Sequence, residues 1–273
     1  MIAKPRAVRL AFVLLLISTV APAQQYGSSW RKEYEKEKNG PHGECLVDWQ
    51  SLAPGLDYRR IECLGDPDDL DLHVVRVDPD RWRLDVASIP GGSTVRQVAN
   101  EKDAVFAINA SFFDKSGNPL GVLVQGGEQI QPPRTSAWQS IFFLDDDDRP
   151  QIILPDRWSR VADDALMAVQ AGPRLVVRGH TNRVHQSYPA ERAGVCIAKS
   201  GDLLFFATPQ NRKFDMYEIA RIARRGEIDG GLECREAMLF DGGHSAQIFV
   251  QGEDRSVLVS GDPVPVFIYA TRR

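Results

Sequence analysis

Apolar and polar residues alternate along 72–78 (Leu-His-Val-Val-Arg-Val-Asp), apart from the pair Val74-Val75, and again along 82–86 before Ala87 (Trp-Arg-Leu-Asp-Val-Ala), with Pro79-Asp80 between them. That pattern predicts a hairpin of two half-buried strands. Further apolar runs of strand length, bounded by Gly, Pro, Asp or Asn, fall at 104–109, 121–125, 140–144, 151–154, 168–171, 175–178, 192–198, 203–207, 237–240, 247–250 and 264–270. Helical spacing is confined to 95–102 and to 216–225, where Ile219, Ala220, Ile222 and Ala223 share one face. The expected fold is α+β and strand-rich, a twisted mixed or mostly antiparallel sheet core with a few helices. No repeat and no Pro/Gly/Ser-rich linker interrupts 71–273, which therefore reads as a single domain. Residues 24–70 read as a lead-in, polar and charged at 24–43 and carrying Cys45 and Cys63 further on.

Residues 1–23 follow a different pattern: basic (Lys4, Arg6, Arg9), then apolar from Leu10 to Val20, then Ala21-Pro22-Ala23. This is the order of a secretory signal peptide with its small-x-small cleavage site. The apolar stretch is about half the ~20 residues needed to cross a bilayer, so cleavage is expected rather than anchoring, with no stable membrane insertion afterwards. The protein is expected to be exported, to a periplasm or to the extracellular medium. Removing the leader's three cations takes the formal charge of the 273-residue chain from −4 to −7. Nucleic acid is thereby excluded as an expected partner.

Export changes the meaning of four cysteines. In an oxidising compartment they favour disulfides, and Cys45 with Cys63 is the favoured pair; Cys196 and Cys234 either pair or stay as thiols. No Cys-x-x-Cys pair is present, and His42, His73, His180 and His185 lack the spacing of a metal site, so no metal and no cofactor is expected. The acidic run 145–148 before Arg149-Pro150 reads as a solvated hairpin turn. No Gly-x-Ser-x-Gly elbow supports a serine esterase.

Four segments place polar residues beside Gly or aromatic neighbours: Asn109-Ala110-Ser111-Phe112-Phe113, Gly172-Pro173-Arg174, Glu191-Arg192-Ala193-Gly194 and Asp241-Gly242-Gly243-His244-Ser245. In the last, a carboxylate follows an apolar strand and two glycines remove side-chain bulk beside it, as a backbone does where a ligand comes close. An Asp-Gly hairpin turn gives the same letters.

Taken in order, these segments resemble the phosphodiester glycosidase family: Asn109 to Phe113, then Pro119-Leu120-Gly121, Gly172-Pro173, Arg192 opening a strand, and Asp241-Gly242-Gly243 before Ser245. The resemblance spans roughly 70–270 and departs at His244, where the family's run continues with Gly. It implies hydrolysis of a glycosyl 1-phosphodiester to free sugar and phosphomonoester, with a glycan or sugar phosphate as the partner. A phosphomonoester is a weakly basic leaving group, so one carboxylate and one cation can replace the usual pair of carboxylates. Asp241 is the expected catalytic carboxylate and Arg192 the expected phosphate-holding cation, its planar fork suited to two oxygens. Glu191 is a candidate second acid or base, although a strand neighbour of Arg192 faces the other way. Asn109, Phe113, Arg174, Gly242, Gly243, His244 and Ser245 are expected to bind substrate, and Phe112, Trp138 and Tyr188 are further aromatics suited to stacking on sugar rings. A structural ion pair between Arg192 and Asp241 is the plain alternative for those two residues. The alternative for the whole chain is a non-catalytic carbohydrate-binding or envelope polysaccharide assembly protein on the same fold.

Overall fold

Among the described residues strand runs dominate, and they pair into three sheets. The computed structural model describes residues 45–46, 48–63, 70–183 and 188–273, leaving aside the side chains of residues 46 and 63. The signal-peptide reading of 1–23 therefore lies outside the described residues. The largest sheet runs in the order Cys45–Leu46, Leu56–Cys63, Asp71–Val77, Leu203–Ala207, Ala193–Ala198, Cys234–Leu239, Arg174–Val177, His180–Thr181, with Gln50–Ala53 paired to Leu56–Cys63. A second sheet joins Pro150–Ile153, Ser140–Asp145, Ala165–Ala171, Leu123–Gln125 and Glu128–Gln131. The third joins Ser256–Val259, Ile248–Gln251, Phe106–Asn109, Val264–Arg272 and Trp82–Ser93.

All three sheets turn one face to a shared core. Val75, Val195, Phe205 and Met238 come from the first, Leu123, Phe142 and Val169 from the second, and Phe106, Ile108, Ile248 and Ile268 from the third. The outer faces carry separate, smaller clusters. The helix Met216–Arg224 lays Ile219, Ala220 and Ala223 against Val74, Cys196, Phe206 and Ala237. The helix Val95–Lys102 covers Ala87, Ala107, Phe249 and Phe267, and Trp158 covers Phe143 and Ala168. Strands buried on both faces explain why 193–198 and 203–207 read as continuous apolar runs rather than alternating ones.

The α+β expectation gives way to a mostly β architecture. The strand pairs among the described residues are antiparallel, and the two α-helices among them act as covers for sheet faces rather than as a layer of their own. The stretch read as a lead-in contributes the strands Gln50–Ala53 and Leu56–Cys63, the latter paired along its length with Asp71–Val77. The compact unit that holds all the described strands runs from His42 to Arg273. Cys196 and Cys234 form a disulfide that joins adjacent strands. Cys45 stands opposite Cys63 in backbone register; the side chain of Cys63 lies outside the described residues, and with it the favoured bridge. The acidic run is a hairpin turn, its Asp145 carboxylate accepting from the Asp147 and Arg149 amides and from the Gln151 side chain.

At the sheet end where Arg192 and Asp241 emerge, Ala193 pairs with Ala207 and Ala207 with His73. The Tyr58 hydroxyl lies 2.9 Å from His73 Nδ1, and Asp71, gripped by Arg60 at 2.8 Å through two nitrogens, lies 4.0 Å from Nε2. Burial pushes His73 down to about 4, Asp71 opposing the shift and Arg60 adding to it. Between pH 6.5 and 4 the unfolded chain therefore binds a proton that the folded chain refuses, so acidification through that window favours unfolding, by up to about 3 kcal/mol from this residue. Denaturation followed from pH 7 to 4 is expected to show a shallower loss of stability in His73→Gln than in the unaltered protein; parallel curves would remove His73 as the cause.

Candidate active site

Three chain segments from two sheets meet at one point. Phe106–Asn109, in the third sheet, runs on into Ala110. In the first sheet, Cys234–Leu239 runs on into Phe240 and Asp241, and Ala193–Ala198 begins just after Glu191 and Arg192. Main-chain hydrogen bonds lock the meeting point: Phe240 N donates to Ala193 O (2.8 Å), Asp241 N to Ala110 O (2.9 Å) and Gly243 N to Glu191 O (2.8 Å).

The two glycines after Asp241 are required for different reasons. A Cβ at Gly242 would stand 2.7 Å from Glu191 O and 3.9 Å from Arg192 Nη1, so the turn lies directly against the strand carrying the cation. Gly243 has open space around it but a φ of 61°, the left-handed region that favours glycine. Residues 243–245 then form one 3-10 turn. Its Ser245 hydroxyl acts on the Asp241 carboxyl to lower it, and His244 stands exposed with its carbonyl held by Asp262 N at 2.8 Å.

Burial pushes the Asp241 carboxyl above its ordinary value, and the bonds from Ser245 and from the Gly242 amide offset part of that rise. Arg192 is 7% exposed, and burial pushes its guanidinium down against the opposing fields of Asp215, Glu191 and Glu218. Nε donates to Phe214 O (2.8 Å) and Nη2 to Tyr188 O (3.2 Å), while the backbone exchanges two hydrogen bonds with Thr208. The guanidinium plane is thus fixed by carbonyls, with Nη1 toward Gly242. Glu191 is nearly fully buried, its carboxylate 4.0 Å from Lys213 Nζ.

Asn109 is at the meeting point but not as an open ligand group. Wholly buried, it donates from Nδ2 to Asp241 O (2.7 Å) and accepts at Oδ1 from Gln247 N (3.0 Å). These bonds tie the Asp241 and Gln247 main chains together, and burial encloses the side chain of the Asn-Ala-Ser sequon in the folded chain. The Arg174 side chain has partners of its own: its Nη2 donates to Glu236 Oε2 (2.6 Å) and Ile152 O (3.1 Å). Its backbone pairs with Met238, three residues before Asp241. Phe113 packs partly buried on the cluster under Val95–Lys102 and bridges to Pro119. Two cavities, of about 500 Å³ beside Trp82 and Arg272 and about 350 Å³ beside Trp49 and Lys199, contain none of these residues.

Thr208 and Gln247 also hold the site, although no motif marks them in the sequence. Gln247 is wholly buried; it accepts from Val95 N (2.8 Å) at the start of a helix and donates to Asp262 O (2.7 Å). Its one signal in the sequence is a lone amide opening an apolar strand.

With this geometry in view, comparison with known proteins decides the family. The phosphodiester glycosidase family model matches residues 102–271. The chain belongs to the phosphodiester glycosidase family. The matched region includes Asn109, Glu191, Arg192 and Asp241. Membership supports a glycosidase-type function.

The fold of the family is visible in solved structures. The catalytic domain of zebrafish N-acetylglucosamine-1-phosphodiester alpha-N-acetylglucosaminidase, auto-inhibited by its pro-peptide, superimposes with a TM-score of 0.62 at 16% identity, covering 85% of this chain and 89% of that one. A hypothetical protein from Synechocystis gives 0.60 at 13% identity, covering 86% and 64%. At such identities the likeness is one of fold. Among curated proteins, YigE of Escherichia coli (strain K12), described as uncharacterized, is 28% identical over 128 residues, 43% of this chain. The chain spans about half the length of that relative.

Proposed function

We propose that the protein is an exported hydrolase that cleaves a glycosyl 1-phosphodiester into free sugar and phosphomonoester. The observation that carries this reading is the turn in which a carboxyl raised by burial sits one residue from a glycine lying against a buried guanidinium. Asp241 works at the anomeric carbon, either drawing a proton from the attacking water or bonding the carbon itself. Water supplies the hydroxyl that ends on the sugar. The anomeric C–O bond breaks with its electron pair on the phosphate oxygen, and Arg192 carries that charge. The anomer released first, read by NMR, tells the two roles of Asp241 apart: inversion for the base, retention for the nucleophile.

Export is supported by the order of residues in 1–23 and by the Cys196–Cys234 disulfide, a bond that persists in oxidising compartments. The zebrafish relative's name gives the first substrate to try: the methyl diester of N-acetyl-α-glucosamine 1-phosphate, beside its glucose and mannose counterparts. Release of free sugar from any of them is the expected result; binding without release would return the chain to the non-catalytic alternative. Arg192→Lys keeps a charge but cannot reproduce the bonds to Phe214 O and Tyr188 O together with a phosphate contact. It is expected to lower kcat/KM on the phosphodiester by about 10²-fold and to affect an aryl glycoside far less. Equal losses on both substrates would place Arg192 in support of the fold rather than at the phosphate.

A further inference from the structure

Trp138 is a large aromatic that the fold holds still and leaves open. It is 53% exposed, yet the segment that carries it is tied down on both sides. Gln170, wholly buried in Ala165–Ala171, accepts from Arg134 N (3.0 Å), donates to Arg134 O (2.6 Å) and bonds the buried Gln139 at 3.0 Å. A Cβ at Gly172 would stand 2.9 Å from Trp138 O, so the indole's backbone is seated directly on that glycine. The ring meets Phe112 edge-on at 5.4 Å between centroids.

Both seats lead to Asp241. Phe112 is two residues, at most about 7 Å of extended chain, beyond Ala110, whose carbonyl holds the Asp241 amide. Pro173, next to Gly172, accepts from Leu239 N at 3.0 Å, and Leu239 lies two residues before Asp241. Burial raises the Asp241 carboxyl, whereas the Trp138 indole stands open to solvent.

From this we infer that Trp138 is the stacking platform for a second sugar ring of the substrate, one other than the ring joined to the phosphate; the inference rests on the function proposed above. A pyranose has an apolar C–H face that one indole face covers, and hydroxyls that the polar neighbours Arg134, Thr135 and Ser136 can meet. A single indole is far smaller than the ~800 Å² per partner of a stable protein interface. Its fixed geometry removes the ordering cost that a mobile aromatic carries into binding. The substrate class is therefore a glycan of at least two sugar units bearing a 1-phosphodiester.

Two measurements test this independently. In the first, kcat/KM is compared for methyl phosphodiesters of a monosaccharide and of the matching disaccharide. An advantage of about tenfold for the longer substrate is expected in the unaltered protein, retained in Trp138→Phe and reduced to near unity in Trp138→Ala. An advantage that survives Trp138→Ala overturns the inference. In the second, which needs no turnover, the indole N–H signal of Trp138, assigned by its loss in Trp138→Phe, is followed by NMR during titration with neutral tetrasaccharides of glucose, mannose and N-acetylglucosamine. A saturable shift of that signal with at least one of them is expected, and its absence with all three overturns the platform. Failure to cleave either diester, with the NMR shift present, would strike the proposed hydrolysis and leave the platform standing.

Discussion

Asp241→Asn is expected to lower turnover on a glycosyl 1-phosphodiester by about 10²-fold or more, the scale on which acid–base groups contribute. The folded state is expected to lose nothing. Burial raises the Asp241 carboxyl, so the folded chain holds that proton to a higher pH than the unfolded chain does, and ionisation costs stability as pH climbs through the raised value. An uncharged amide of the same shape avoids this, and at pH 7 the variant should melt at or above the temperature of the unaltered protein. Activity in the unaltered protein should run the opposite way, rising with pH through the same ionisation, because the carboxylate is the working form. A purely structural carboxylate reverses both expectations: melting falls and activity per folded molecule stays unchanged. Thermal melts and turnover on the same samples separate the cases.

The second large effect belongs to Asn109. Its side chain satisfies one main-chain carbonyl and one main-chain amide inside the protein, Asp241 O and Gln247 N. Asn109→Ala leaves both without that partner and is expected to cost roughly 4 kcal/mol in denaturant unfolding. Turnover of the surviving folded fraction should also fall, since the Asp241 backbone loses one of its two ties to this segment, the other being its amide on Ala110 O. A cost below about 1 kcal/mol with full turnover would show that the Asp241 turn holds itself in place.

How much of this was readable in advance follows from how far apart the partners are. Strands buried on both faces, such as Ala193–Ala198, announce themselves as apolar runs. Leu56–Cys63 does not, because Arg59 and Arg60 interrupt its pattern. Arg59 is nevertheless 1% exposed, held by Glu227 Oε1 and Gly231 O at 2.7 Å from 168 and 172 positions away. The Asp241 turn was legible because Asp, Gly and Gly are adjacent in sequence. The role of Asn109 was not, since its two bonds span 132 and 138 positions and an amide looks the same whether it meets a sugar or a main chain. The partner of Arg174 was hidden for a similar reason: Glu236 is 62 positions away.

The contrast between Gly242 and His244 bears on how such a site changes over time. At 242 any side chain would collide with the main chain of Glu191, so that position is closed to variation as long as the two strands meet. Two residues on, position 244 points outward and only its carbonyl is engaged. A lineage can therefore alter what greets an incoming substrate one residue at a time, without disturbing the seam where the reacting groups are assembled.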